Sequence, residues 1–391
     1  MLDIATREFI EQHREDDVRV LALQAKRYPA VDMHEAVVQI EGWQAARTKL
    51  PAWAATEGII YPPKISMEQC SSEQTARYKA SLAGGGRLAD LTGGFGIDFS
   101  YMSRGFGEAL YIERNERLCS IARENFALLG LHHAEVVNGN SEEVLASLDA
   151  LDWIFVDPAR RDGDGRKVVA LSDCEPDVVA LEEVLLQKSR KVMVKCSPML
   201  DITEACRQLK HVQEVYVVAV NNECKELLFI LGSDMAAGCP VHCVNLLKDG
   251  CQEFSFTAGD ENGAVVSCCT AVGRYLYEPN VAVQKSGCSG VLCQRYAMKK
   301  LHPNSQLYTS DERVASFPGR IFEVVDVTGF SKADIKKVQA LQKANITVRN
   351  FPESVQLLRK RLKLSDGGDS YIFATTLAGG EKVLVLCKKA G

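Results

Sequence analysis

Residues 87–98 read RLADLTGGFGID: a short apolar run, an acid, a glycine-rich turn and the first residues of a helical pattern. Glycines at the end of a strand permit a tight turn and let a ligand come close to the backbone. The stretch is not the G-x-G-x-x-G of a nicotinamide site, and no Gly-Lys-Ser/Thr follows as it would in a phosphate-binding loop. Instead Asp90 precedes the glycines by a few residues. An acid there repels a pyrophosphate but pairs with an ammonium, which suits a nucleoside that carries an amino acid.

Outward from this turn, short apolar runs alternate with helical stretches. The runs are RLADL, ALYIE, AEVVN, WIFVD, KVMVK, EVYVVAV and LLFIL, and helical patterns follow Gly96, Arg117, Ser141, Glu175 and Ile202. That alternation predicts βαβ units, with a parallel sheet covered by helices on both faces. The last two runs are joined by Asn221-Asn222-Glu223-Cys224-Lys225-Glu226, which reads as a hairpin, so five parallel strands should end in an antiparallel pair. The strand ends carry the polar residues. Glu113 closes the second run, where an acid can accept both hydroxyls of a ribose. Asn140 follows the third and can face an adenine edge. Asp157-Pro158-Ala159-Arg160-Arg161 follows the fourth, and Lys195-Cys196-Ser197-Pro198 the fifth.

The flanking regions differ. Residues 1–80 read as helical, with apolar spacing interrupted at Pro29, a rigid joint at Pro62-Pro63, and Ser66 with Gln69 as a capping box opening a helix that Gly84-Gly85-Gly86 ends. Residues 239–275 look β-rich, and 276–319 look like a small mixed segment. Residues 320–391 read β-α-β-α-β-β. The expected borders are therefore a helical region over 1–80, an α/β domain over 81–235, a β-rich or small α+β segment with a ferredoxin-like arrangement as one option over 236–319, and an α+β module over 320–391.

The whole chain has 391 residues, 46% hydrophobic and 25% charged, and a net charge of −5. This is the balance of an ordinary soluble protein of two or three domains. No apolar run is long enough for a membrane span, the N-terminus lacks the features of a secretory signal, and fourteen cysteines in that context suit reduced thiols in the cytoplasm. Charge is unevenly spread: residues 320–391 hold 13 Lys and Arg against 7 Asp and Glu, an excess of +6 on an otherwise acidic body. It is concentrated by Lys336, Lys337 and Lys343 on one expected helix, and by Arg359, Lys360, Arg361 and Lys363 on the next, which points to a polyanionic partner. The cysteines and histidine between 239 and 293 contain no paired C-x₂-C knuckle, and their spacing fits no common zinc pattern, so no metal is expected.

DLTGGFG, YIE, NGN and VDPARR, in that order and spacing, resemble the first four motifs of class I S-adenosylmethionine-dependent methyltransferases, whose sheet also ends in a reversed strand. EQCSSEQTARYKA, DPARR, VKCSPMLDI, NECKELL and YLYEPN extend the resemblance to a bacterial family of such enzymes with a C-terminal THUMP-like domain; THUMP domains bind RNA. The resemblance implies that Asp90, Thr92, Gly93, Gly94 and Gly96 line the methionine end of the cofactor, that Glu113 holds the ribose and Asn140 faces the adenine. Asp157 and Pro158 would flank the methyl group, with Gln69 and Thr75 closing the pocket. Thr92 stands where a glycine is common. Ala159 and Arg160 replace the Pro and aromatic residue that base N-methyltransferases stack on their target; Arg160 could stack in their place or hold a phosphate. Cys196 resembles the attacking cysteine of RNA 5-methyluridine enzymes, beside a Lys195 that would lower its pKa; a small buried strand-end residue is the alternative. The expected function is methyl transfer from S-adenosylmethionine to a base in tRNA or rRNA, with Asp157 as the first catalytic candidate. The competing expectations are a small-molecule methyltransferase whose extra domain serves dimerisation, and a non-enzymatic RNA-binding protein with a vestigial cofactor fold.

Overall fold

The computed structural model describes residues 2–160, 171–234 and 238–390. The chain forms two compact units: residues 1–213 with 227–235, and residues 214–226 with 236–391.

In the first unit, β1 (Gly85–Asp90), β2 (Phe106–Glu113), β3 (Ala134–Asn138), β4 (Leu151–Val156) and β5 (Ser189–Cys196) form the parallel sheet expected from the alternation. β6 (Val212–Val220) and β7 (Glu223–Gly232) follow, and the portion of β7 in this unit runs antiparallel to β5, giving the order β7-β5-β4-β1-β2-β3. Sequence order reverses at β1, so the ends of β1 and β4 open a crevice between them, where α/β sheets bind ligands.

The N-terminal helices share a core with this sheet. Ala46, Leu50, Trp53, Tyr61, Met67 and Ala76 pack with Phe95, Ile97, Tyr101 and Ile121 of the glycine turn and the helices that follow. The single helix expected after Ser66 is two. Lys64–Gln69 ends at Cys70, and Glu73–Leu82 begins afresh with Ser72 as its N-cap, accepting from the Thr75 amide at 3.3 Å. Ser72 is the better cap because its own backbone is extended, as an N-cap must be. Gly85 and Gly86, expected as a helix stop, open β1 instead.

In the second unit the turn Asn221-Asn222 has positive φ at both residues, the type I′ pattern that matches strand twist. β6 pairs in parallel with β8 (Pro240–Leu247), which forms a hairpin with β9 (Gly250–Thr257). The expected β-richness stops there: Ala258–Gly263 is a capped helix, and the next named strand is β10 (Tyr275–Pro279). A further sheet contains β10, β11 (Tyr308–Ser310), β12 (Gly319–Thr328), β13 (Asn345–Val348), β14 (Ser370–Thr376) and β15 (Lys382–Lys389). Helices Lys332–Gln339 and Val355–Leu362 complete the β-α-β-α-β-β order read from residues 320–391. Val338, Leu358 and Leu362 seat them on Ile372, Leu384 and Leu386.

Candidate active site

A cavity of about 300 Å³ lies at the ends of β1, β2 and β4. Asp90, Thr92, Gly93, Gly94, Gly96, Glu113, Asn140, Asp157 and Gln69 all line it. The glycine turn is pinned to both neighbouring strands: Leu91 N donates to Phe155 O at 3.0 Å and Gly93 N to Ile112 O at 2.9 Å. A Cβ on Gly93 would fall 2.3 Å from the Tyr111 ring, and Gly96 sits at φ +82° against Phe126, so neither position tolerates a side chain. Tyr111 in turn donates its hydroxyl to the Gly94 carbonyl.

Thr92, the departure from the common glycine, ties two strand ends together. Its amide donates to Asp90 Oδ1 at 2.9 Å, and its hydroxyl accepts the Asp157 amide at 2.7 Å. Asp90 is 1% exposed. Burial, with the Asp98 and Asp157 charges adding, pushes its carboxyl up to about 8. Among the described residues, the hydrogen bonds it accepts fall on Oδ1. Glu113 is oriented by backbone amides, Gly94 N on Oε2 at 2.9 Å and Asn115 N on Oε1 at 2.8 Å. Each oxygen keeps acceptor capacity for a hydroxyl. Asn140 Oδ1 caps the helix Ser141–Ser147 through Glu142 N at 2.8 Å, so the side chain would face a base with its amide.

Other expected residues are placed differently. Thr75 is buried outside the cavity lining, its hydroxyl turned to the Ser72 carbonyl at 3.1 Å. Pro158 is half-buried and does not line the cavity, whereas Ala159 does. The Arg160 side chain and Arg161 lie outside the described residues. The structure places Cys196, the candidate attacking cysteine, as a buried strand-end residue away from the cavity lining, and burial, with the Asp157 charge adding, pushes its thiol up. Neighbouring residues of a strand face opposite ways, so Lys195 reaches the cavity and Cys196 does not. Among the described residues no group of His, Cys, Asp and Glu converges as metal ligands.

Sequence reasoning missed a charge network at the cavity wall. Lys195 Nζ lies 2.5 Å from Asp157 Oδ2 and 3.3 Å from Asp98 Oδ2. Asp98 Oδ2 also accepts the Ser71 hydroxyl at 2.7 Å, and Oδ1 lies 3.1 Å from Lys79 Nζ, which is fully buried. Burial opposes the Asp98 charge, but Lys79, Lys195 and Ser71 outweigh it and hold the carboxyl below the usual range. The available signal was Lys79 itself, one turn after Thr75 and Ala76 on the buried face of its helix.

Of the seven C-terminal basic residues expected to meet a polyanion, all are exposed apart from half-buried Arg359. Lys337 pairs with Asp326 at 2.6 Å, Arg359 with Asp366 at 2.7 Å and Arg361 with Glu353 at 2.7 Å. Among the described residues no ion pair is formed by Lys336, Lys343, Lys360 or Lys363.

Comparison with known proteins agrees with this geometry. Residues 79–220 match a family model described as conserved hypothetical protein 95, residues 275–318 a ferredoxin-like domain, and residues 319–389 a THUMP domain-like model. The chain is similar to the crystal structure of a "putative methyltransferase" from Porphyromonas gingivalis W83, with 35% identity over 100% of both chains and a TM-score of 0.91. A conserved hypothetical protein from Streptococcus pyogenes is 20% identical over 39% of this chain and 88% of its own, with a TM-score of 0.26. An rRNA methylase from Streptococcus thermophilus is 12% identical over 41% and 94%, with a TM-score of 0.31. None of the curated proteins matches the chain. Fold, motifs and the full-length relative define a class I S-adenosylmethionine-dependent methyltransferase. Within that class the chain belongs to the bacterial family that carries a C-terminal THUMP-like domain.

The cavity fits the cofactor. Asp90 is a buried carboxyl whose charge a cation would stabilise, Glu113 presents two fixed acceptors to a ribose, and the glycine turn leaves room beside the backbone. S-adenosylmethionine supplies an electrophilic methyl group when bound. Asp90, Glu113 and the glycine turn would hold and orient it there. No helix among the described residues is long and apolar enough to cross a membrane.

Proposed function

We propose that this enzyme methylates RNA, tRNA or rRNA, in the cytoplasm. Asp157 faces the reacting centre, and the C-terminal module holds the substrate by its phosphates. The observation that carries this reading is the join of a cofactor cavity to a THUMP-like module with an excess of +6 and with Lys336, Lys343, Lys360 and Lys363 exposed. Phosphate contacts of this kind fix position and do not read bases. Free thiols at all fourteen cysteines suit a reducing compartment. The local pairing of Lys337, Arg359 and Arg361 favours the second reading, a small-molecule acceptor with the extra domain serving assembly. The decisive experiment compares methylated nucleosides in total RNA from cells with and without the gene, then asks the purified full-length protein to restore the missing one. Unchanged RNA in both arms overturns the RNA reading.

A further inference from the structure

We infer that the acceptor is a hydroxyl, the ribose 2′-OH of RNA, and that Lys195 selects it. The inference rests on the RNA reading above and names the atom that reading leaves open. Asp157 follows β4 and lines the cavity, and on the reading above it faces the reacting centre; its Oδ2 is held by Lys195 Nζ at 2.5 Å. Lys195 is itself fixed from behind. Asp98 Oδ2 lies 3.3 Å from its ammonium, Ser71 donates to the same oxygen, and the fully buried Lys79 holds Oδ1. Burying a lysine and an aspartate costs several kcal/mol per ion unless they are well paired. Compensating Asp157, whose side chain is 39% exposed, would not require that machinery. Its effect is to fix one ammonium at the cavity wall.

That ammonium discriminates between acceptors. A base nitrogen that attacks a methyl group becomes cationic before it loses its proton, and a neighbouring ammonium opposes that charge. A hydroxyl oxygen gains negative character as its proton leaves, and the same ammonium stabilises it, as fixed donors stabilise any developing oxyanion. The aromatic platform for a base is also missing at Asp157-Pro158-Ala159-Arg160. The balance is simple. The hydroxyl oxygen forms a bond to the methyl carbon while the carbon–sulfur bond breaks with its electron pair staying on sulfur. The hydroxyl proton passes to the Asp157 carboxylate and then to water.

The test uses the full-length protein, tritium-labelled S-adenosylmethionine and total RNA from cells lacking the gene. Methylation at the 2′ oxygen blocks alkaline cleavage of its own phosphodiester, so the label should appear in alkali-stable dinucleotides. Label in mononucleotides overturns the hydroxyl inference and leaves the RNA reading intact. Cofactor binding with no label in RNA sinks the RNA reading, and the inference falls with it. Lys195→Met should lower kcat by about 100-fold, the effect of removing one oxyanion donor, with cofactor affinity within about threefold of the parent. Lys195→Arg should recover part of the rate. A parental kcat in Lys195→Met overturns the role of Lys195. The label's position is read on the unmodified protein, so it stands even where a variant fails to fold.

Discussion

The cofactor cavity and the C-terminal module are both charged, but they use charge in opposite ways. Buried Lys79 and Asp98 and half-buried Lys195 are linked in one network. Lys337, Arg359 and Arg361 are surface cations, each paired with one nearby acid. Buried charges must be placed precisely or be too costly to keep; surface charges are cheap, screened and individually weak. On the proposed function the cavity's residues would therefore act through position, and the module's through number.

Stability measurements break or sharpen this contrast most strongly. Lys79→Met removes the fully buried ion partner of Asp98 and should cost about 3–5 kcal/mol in urea unfolding. Arg361→Ala removes a pair whose side chains are 41% and 30% exposed and should cost less than about 1 kcal/mol. Equal losses would show that Lys195 alone satisfies Asp98. Next in size is Glu113→Ala. Deleting the oriented carboxylate should weaken binding of the cofactor or its demethylated product by about 1.5–3 kcal/mol in calorimetry, the scale of hydrogen bonds to a charged group. An unchanged affinity would move the ribose away from Glu113.

The alternation of apolar runs and helices made the five parallel strands, the closing hairpin and the β-α-β-α-β-β tail legible, because each depends on local periodicity. The ligand-facing strand ends were legible because acids and glycines there stand out against apolar neighbours. The network of Ser71, Lys79, Asp98 and Lys195 was not, since Asp98 and Lys195 are separated by 97 residues and meet only through packing. The placement of Cys196 also depends on the fold: adjacency to Lys195 in sequence means opposite faces of a strand, and only Lys195 lines the cavity. The helix break at Cys70 escaped notice because Ser66 with Gln69 matches a capping box, and only the backbone shows that Ser72 caps a second helix.

Asp90 links pH to the cavity. With its carboxyl pushed up to about 8, Asp90 is largely protonated at pH 6, and a proton competes with the cofactor's cationic groups for it. Binding should therefore tighten as pH rises toward 8, by up to about tenfold per unit, since one unit corresponds to about 1.36 kcal/mol. At pH 7 it should release a proton, measurable by calorimetry in buffers of different ionisation enthalpy. Asp90→Asn should bind more weakly at pH 8 and lose much of that pH dependence. A parent affinity that is flat between pH 6 and 8 would mean that Asp90 does not meet a cation.

The smallest effects per residue belong to the C-terminal module, and they decide whether number matters there. If RNA is held by its phosphates, log affinity falls linearly with log salt, by about 0.7 per contact on a single strand. Lys337, Arg359 and Arg361 must leave Asp326, Asp366 and Glu353 to reach a phosphate, so each should contribute less than a full contact. Lys336, Lys343, Lys360 and Lys363 face no such competition from an ion pair among the described residues. Replacing these four by Ala should flatten the salt slope by about 2–3, and replacing the three paired residues by less than about 1, with cofactor affinity unchanged in both. Equal slopes in the two sets would mean that the acidic partners release their cations at no cost. A parental slope in both would remove the module from RNA binding and favour the assembly role.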